Sequence, residues 1–221
     1  MVSRMPSAEP AAPTLARPLR SDAARNRRSL VRAAREIFER DGFVAARITD
    51  IAEEAGVAHG SFYSHFPDKR AAFAAVLEEV QEEMLQPGAT PTADGSDPAE
   101  VIERANRAYL EAYRRNARLM VLLEQVATVD EGFLQLRMRR TDAFVRRNAK
   151  AIRRLQRAGQ ADPELDPSLA SLAISAMVSR TAYATLGVGE EAVDLDRLVA
   201  TLNRLWTNAL RISPDRKDTT S

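Results

Sequence analysis

The sequence predicts an all-α protein of about nine helices. Apolar residues recur at the three- and four-residue spacing of amphipathic helices, as at Leu30, Ala33, Ala34, Ile37 and Phe38. No stretch of useful length alternates apolar and polar residues as a half-buried strand would. Proline, glycine and aspartate divide the helical pattern into segments. A chain of 221 residues is long enough for one or two domains with a buried core.

The N-terminal third contains three predicted helices. Residues 1–24 mix proline, alanine, serine and arginine without periodicity and are predicted to form a disordered basic arm. The first helix follows and ends at Asp41-Gly42, where glycine can adopt the left-handed conformation that closes helices. Thr49 is a candidate N-cap for a short second helix, which Gly56 ends. A third short helix is predicted over 58–66.

A fourth helix starts after Asp68 and continues to Pro87. Residues 87–98 (PGATPTADGSDP) are the clearest loop in the chain. Helices are then predicted at 98–115, 117–129, 131–158, 167–187 and 194–211. We therefore divide the chain into a helix-turn-helix domain at 25–70, a second helical domain at 71–212 and a disordered tail at 213–221.

Composition and charge limit the possible functions. The net charge is only +1, but residues 1–47 contain ten arginines and five acidic residues. This excess favours a polyanionic partner at that end, although a solvated arginine-rich segment is the alternative. With no cysteine and only two histidines, we expect no catalytic residue, no metal and no cofactor. No membrane-spanning run or secretory signal is visible, so we expect a cytoplasmic protein without membrane contact.

The most informative segment is residues 48–73 (ITDIAEEAGVAHGSFYSHFPDKRAAF). Two short helices joined by a glycine-containing turn are the requirements of a helix-turn-helix. Phe62 and Phe66 are four residues apart, so they share one stripe that can pack inward. Gly60, Tyr63 and Ser64 project away from that stripe, where they could approach a DNA groove. Each residue alone could equally be an ordinary core or surface position; the spacing of the whole set favours DNA binding.

This segment resembles the DNA-binding domain of TetR-family transcriptional repressors. The recognition helix of that family has a pattern that matches Gly60 to Phe66 (GSFYSHF). Thr49 and Lys69 match a threonine and a lysine of the family, and Phe38 with Gly42-Phe43 fits its first helix. The specific resemblance covers about residues 26–77, roughly a quarter of the chain.

The resemblance implies a role for each matching residue. Phosphate contacts are expected from Arg47, Thr49, Tyr63, His65 and Lys69, and base-edge contacts from His59, Gly60, Ser61 and Ser64. The segment Arg25 to Arg28 could enter a neighbouring minor groove. One position departs from the family pattern: Ala58 stands where a serine or threonine usually caps the recognition helix, and alanine cannot cap.

The resemblance also implies a homodimer that binds a palindromic operator in double-stranded DNA and a small, largely apolar effector that releases it. Candidate pocket residues are Tyr109, Tyr113, Met120, Leu123, Phe133, Phe144 and Met177. Candidate dimer residues are Leu169, Leu172, Ala176, Leu198, Leu202, Leu205 and Trp206, although these could instead pack inside the monomer. Eight arginines within 137–157 could contact an anionic ligand or form a solvated helix face. The alternative functions are a helical adaptor that binds only protein and a cofactor-free helical enzyme.

Overall fold

The computed structural model describes residues 19–85, 97–189 and 191–212. Within these ranges the chain forms nine α-helices and no strand, which confirms the predicted fold class. The helices are α1 (Leu19–Ala45), α2 (Ile48–Glu54), α3 (His59–Tyr63), α4 (Lys69–Leu85), α5 (Pro98–Arg115), α6 (Ala117–Ala127), α7 (Glu131–Arg157), α8 (Pro167–Ala182) and α9 (Leu195–Ala209). A π-helical turn, Tyr183–Gly187, extends α8. None of the helices in the described ranges combines the length and apolar character that a bilayer crossing requires.

The helices of the C-terminal half begin where aspartates cap them. The carboxylates of Asp97, Asp130, Asp166 and Asp194 each accept hydrogen bonds from backbone N–H groups in the first turn of α5, α7, α8 and α9. Such a cap contributes about 1 kcal/mol because it satisfies donors that the helix itself leaves unpaired. These caps explain why the predicted starts of the four helices agree closely with the structure.

The start of α1 corrects the prediction. We expected a disordered arm over 1–24, but α1 begins at Leu19, so residues 19–24 are helical despite their weak apolar pattern. The remainder of the predicted arm, 1–18, and the predicted tail, 213–221, lie outside the described residues. Gly42 breaks the helix near its end, as predicted, with φ 79° and ψ 170°. Only glycine adopts this conformation without strain, and residues 43–45 form one further turn beyond it.

An aromatic cluster joins three helices at the base of the N-terminal bundle. The ring centroid of Phe73 in α4 lies 4.8 Å from that of Phe38 in α1 and 5.3 Å from that of Phe133 in α7. Phe43, just beyond the glycine kink, lies 5.7 Å from Phe133. Rings at these separations and tilts gain stabilisation beyond the apolar area they bury. Phe133 therefore fixes α7 to the N-terminal helices.

Helix α4 belongs to both halves of the protein. It packs on α1 at one side and on α5 and α7 at the other, and its apolar face, including Phe73, Val76, Leu77 and Val80, is fully buried. The predicted domain boundary at 70/71 falls in its first turn, and the helix continues without a break. A movement of α4 in one half of the protein must therefore also displace the residues that it contacts in the other half.

Candidate DNA-binding surface and internal cavity

The turn between α2 and α3 holds the two helices at a fixed angle. Gly56 has φ 67°, and the N–H of Val57 donates to the Ala52 carbonyl at 3.0 Å. Beneath the turn, Ile51 and Phe62 are completely buried and Phe66 is 3% exposed. This apolar base determines which face of α3 turns outward.

The outward face of α3 carries the residues predicted to reach base edges. His59, Gly60 and Ser64 are exposed and Ser61 is half-buried. Tyr63 is 51% exposed, and its ring stands edge-on to that of His59 at 5.4 Å. The structure thus gathers these side chains on one small projecting surface.

The first turn of α3 lacks a side-chain cap, as Ala58 predicts. Ala58 occupies the N-cap position with φ −63° and ψ 142°, and no side chain accepts a hydrogen bond from the first-turn N–H groups. Of these groups, the N–H of Ser61 donates to the Ala58 carbonyl at 2.8 Å, which leaves the N–H groups of His59 and Gly60 at the exposed start of the helix for solvent or a phosphate.

Helix α2 corrects the predicted cap. The helix begins at Ile48, so Arg47 is the N-cap residue and Thr49 lies inside the first turn. Thr49 is exposed, and its hydroxyl donates to Asp50 Oδ1 at 3.1 Å. Arg47 is exposed beside it.

Lys69 differs from its prediction because its ammonium group is already engaged. Nζ donates to the carbonyls of Val44 and Ala46, each at 3.0 Å, and lies 5.0 Å from the centre of the Phe43 ring. Burial lowers the pKa of Lys69 below its ordinary value. The residue ties the end of α1 to the start of α4, and only one N–H is left for a phosphate. His65 is half-buried.

The segment predicted to enter a minor groove, Arg25 to Arg28, lies in α1. Arg25 pairs with Asp22 at 3.2 Å, and the guanidinium of Arg27 lies over the Phe66 ring at 5.3 Å.

A polar network that the sequence did not reveal links α1, α4 and the α5–α6 junction. Asn116 is fully buried; its Oδ1 accepts from Arg35 Nη2 at 2.9 Å and its Nδ2 donates to Glu83 Oε2 at 2.8 Å. Arg115 Nε donates to the other oxygen of Glu83 at 2.7 Å. From the sequence, Asn116 was only a break between two helices, and nothing in its neighbours indicates a bridging role.

A cavity of about 570 Å³, partly open to solvent, lies among α4, α5, α6, α7, α8 and α9. Of the predicted pocket residues, Tyr109, Met120, Leu123 and Phe144 line it. Tyr113, Phe133 and Met177 do not: Tyr113 is 2% exposed in the core beside Tyr109, and Phe133 is in the aromatic cluster. Burial raises the pKa of Tyr109 to about 12.

The arginines of α7 divide between the cavity and solvent. Four of them line the cavity: Arg137, Arg140, Arg147 and Arg154. The other four are exposed and do not line it: Arg139, Arg146, Arg153 and Arg157. Arg154 of the cavity set is exposed as well. Contact with an anionic ligand therefore stays a prediction for the cavity set, and the other four arginines form a solvated helix face. The i, i+3, i+10, i+17 spacing of the cavity set is the signal that could have identified it.

The predicted dimer residues also divide. Leu169, Leu172 and Leu205 are 68%, 46% and 46% exposed, and Ala176 is exposed. Leu198, Leu202 and Trp206 are instead buried in the monomer, where α9 packs on α5, and Trp206 lines the cavity. For these three residues the intramonomer alternative is correct.

Comparison with known proteins supplies independent findings. The family described as "Bacterial regulatory proteins, tetR family" matches residues 30–76, and "Transcriptional regulator EthR, C-terminal domain" matches residues 102–211. The transcriptional repressor BepR of Brucella suis is 30% identical over 47% of this chain and 50% of its own length. The transcriptional regulator TtgR of Pseudomonas putida is 27% identical over 74% and 81%.

Solved structures show the same fold. Salmonella enterica GusR superposes with a TM-score of 0.72 at 20% identity, over 90% of this chain and 100% of that one. A TetR-family regulator from Mesorhizobium loti superposes with a TM-score of 0.73 at 18% identity, over 86% and 96%. The likeness thus extends across both the N-terminal helices and the helices that enclose the cavity.

Proposed function

Because the chain belongs to the TetR family of bacterial transcriptional regulators, we propose that it is a repressor that binds a palindromic operator as a homodimer. A small molecule in the internal cavity releases the DNA. The observation that carries this proposal is the outward face of α3, set on the buried Phe62 and Phe66. The family match at residues 30–76 coincides with it.

In this proposal the outward face of α3 enters the major groove. His59, Gly60, Ser61 and Ser64 reach base edges, where His59 offers a hydrogen-bonding ring and Gly60 allows close backbone approach. Tyr63 bonds a phosphate through its hydroxyl. This division predicts that Tyr63 contributes affinity at every sequence while His59 contributes discrimination.

Phosphate contacts beside α3 come from α2. Arg47 and Thr49 are exposed next to the helix N-terminus, whose N–H groups and dipole favour an anion. His65 and Lys69 contribute less, since His65 is half-buried and Lys69 spends two of its three donors on carbonyls. These two residues mainly hold the domain in shape.

The exposed apolar residues of α8 and α9 form the proposed dimer contact. Leu169, Leu172, Ala176 and Leu205 present apolar surface that a second copy would bury. Two recognition helices placed ~34–36 Å apart then meet successive major grooves on one side of the duplex.

Helix α4 couples the cavity to the DNA-binding helices. Met84 at one end lines the cavity, and Phe73 near the other packs on α1. Glu83 joins α4 to Arg35 of α1 through Asn116. A ligand shifts the equilibrium between DNA-competent and incompetent conformers only by its differential affinity for the two.

Nuclease footprinting on the DNA that flanks the protein's own gene tests the proposal. We expect one or more protected segments with internal two-fold symmetry. Replacing Tyr63 by Ala should weaken protection at every site, whereas His59→Ala should change which sites are protected. Absence of protection, or protection without any sequence preference, would contradict the proposal.

A further inference from the structure

The polar groups that face the cavity are dominated by hydrogen-bond donors. Asn106 Nδ2, Arg137 Nε and Trp206 Nε1 are buried, and none has a hydrogen-bond partner among the described residues. All three residues line the cavity. A buried donor without a partner costs about 1–3 kcal/mol. A ligand that offers hydrogen-bond acceptors to these three donors would remove that cost.

Arg140 is the most unusual of these groups. It is only 4% exposed, and in the described parts of the chain no carboxylate comes within 4.0 Å of it. Its guanidinium donates to the Leu77 carbonyl at 3.4 Å and to the sulfurs of Met84 and Met120 at 3.5 and 3.3 Å. These weak acceptors do not neutralise a charge. A buried charge ordinarily has a partner of opposite sign. Because Arg140 lines the cavity, a ligand in the cavity can supply that partner.

Most of the other charges in the wall are also positive. Arg147 and Arg154 follow Arg140 along α7, and burial lowers the pKa of Arg147 as well as that of Arg140. Glu124 is the one acidic residue that lines the cavity within the described ranges, and it already pairs with Arg137 at 3.2 Å. The cavity therefore has a surplus of positive charge.

The rest of the wall is apolar. Tyr109 and Phe144 meet edge to face at 5.5 Å, and aliphatic side chains surround them: Val101, Ile102, Leu123, Leu155 and Val178. A volume of about 570 Å³ is within the range that holds a small organic molecule. The ligand thus needs both an anionic group and an apolar body.

We propose that the cavity binds an amphipathic organic carboxylate, with its carboxylate on Arg140 and its apolar body against Tyr109 and Phe144. Arginine offers a planar pair of donors that matches a carboxylate, and Asn106 and Trp206 supply further donors. The proposal deepens the proposed function and rests on it, since it narrows the expected effector from a largely apolar molecule to an anion. It also places the headgroup beside α4, because Arg140 contacts Leu77 and Met84 of that helix.

The single tryptophan of the chain is Trp206, so its fluorescence reports directly on the cavity. Titration of the full-length protein compares decanoate, decan-1-ol and decylamine, which share one chain length and differ in charge. We expect decanoate to bind at least about tenfold more tightly than either, since a charge-assisted hydrogen bond contributes this much or more. Equal binding of decan-1-ol, or preferred binding of decylamine, would overturn the proposal.

Two variants of neighbouring arginines locate the headgroup. Arg140→Met should lower decanoate affinity at least about tenfold and leave decan-1-ol binding unchanged, whereas Arg139→Met on the exposed side should change neither. Arg140→Lys keeps the charge without the planar fork and should fall between. Unchanged decanoate affinity in Arg140→Met, with circular dichroism showing intact helices, would refute the assignment of Arg140.

Two further probes separate possible sources of the anion. Decyl phosphate and decanoyl-coenzyme A present other anionic groups on the same chain. Binding of decanoate with exclusion of both supports a simple carboxylic acid, whereas tighter binding of either would overturn the carboxylate assignment in favour of a phosphate. A DNA-release assay distinguishes failure of the anion site from failure of the proposed function. If decanoate binds but does not release DNA, the proposed function is contradicted and the anion site is not. If decan-1-ol releases DNA as well as decanoate does, the anion site is contradicted and the proposed function is not.

Discussion

Replacing Arg140 by methionine should stabilise the protein, even though the residue is buried. The wild-type guanidinium is 4% exposed and lacks a carboxylate partner among the described residues. Methionine is shorter than arginine but occupies the space of its apolar stem, is compatible with the neighbouring Met84 and Met120, and carries no charge. The change therefore removes a desolvation penalty and slightly enlarges the cavity where the guanidinium stood.

The magnitude follows from the contacts that are lost and the penalty that is relieved. Replacing a buried ion pair by well-packed apolar side chains is often stabilising by about 1–4 kcal/mol, and Arg140 carries a desolvation penalty of the same kind without a paired carboxylate. Against this stands the loss of the 3.4 Å bond to the Leu77 carbonyl, which contributes at most about 0.5–1 kcal/mol at that length. The net gain lies between about 0 and 3.5 kcal/mol, with a midpoint of about 2 kcal/mol. For a chain of this size the midpoint corresponds to a rise in Tm of roughly 4–8 °C.

Thermal unfolding followed by circular dichroism measures the effect, at one protomer concentration because dimerisation itself shifts Tm. Arg139→Met is the matched control: its side chain is exposed, and we expect a change within about 0.5 kcal/mol. A Tm of Arg140→Met below that of the wild type would show that Arg140 has a partner of its own and would refute the reasoning. A stabilised variant would indicate that the wild type keeps this charge for binding rather than for folding.

Three other changes test the DNA-binding helices and the network behind them. Tyr63→Phe keeps the ring contact with α3 but removes the hydroxyl, so DNA affinity measured by anisotropy should fall about five- to tenfold at all sequences with Tm unchanged; an unchanged affinity would exclude the phosphate contact. Ala58→Ser supplies the missing cap of α3 and should stabilise that helix by about 0.5–2 kcal/mol, seen as slower amide exchange there; unaltered exchange would count against it. Burial would raise the pKa of Glu83, but hydrogen bonds from Asn116 and Arg115 outweigh it and hold the pKa below its ordinary 4.5. The stabilisation from the Glu83 carboxylate is therefore present at neutral pH and lost as pH falls through that lowered pKa. Glu83→Gln should lower the free energy of unfolding by about 1 kcal/mol at pH 7, and the resulting Tm deficit should shrink below pH 4.5. A Tm deficit that does not depend on pH would contradict this assignment.

Local signals predicted the helices well because they are governed by short-range chemistry. Aspartate and proline at Asp97-Pro98 and Asp166-Pro167 mark helix starts that depend on backbone donors a few residues away. The sequence does not predict the start of α1 at Leu19 because residues 19–24 offer little apolar periodicity. These residues extend a helix whose packing in the core starts at the buried Leu30. The sequence predicts Thr49 as the cap where the structure has Arg47, because helix propensity does not decide between neighbouring start positions.

Sites built from distant segments were harder to predict. Periodicity shows that Leu198, Leu202 and Trp206 share a face, but not that α5 of the same chain covers it. The same limit applies to Phe133, whose neighbours Phe43 and Phe73 come from other helices. Arg140 was one of eight arginines on α7, and only the packing of α4 and α6 around it separates it from Arg139.

The central claim, that the surface of α2 and the outward face of α3 binds specific duplex DNA, is tested most directly by fluorescence anisotropy. One labelled duplex carries the segment protected in footprinting and the other a shuffled sequence of the same composition, each titrated across a range of salt concentrations. We predict affinity for the protected segment at least about 10³ times higher than for the shuffled one, with both falling steeply as salt rises. Equal affinity for the two duplexes at every salt concentration would contradict the account.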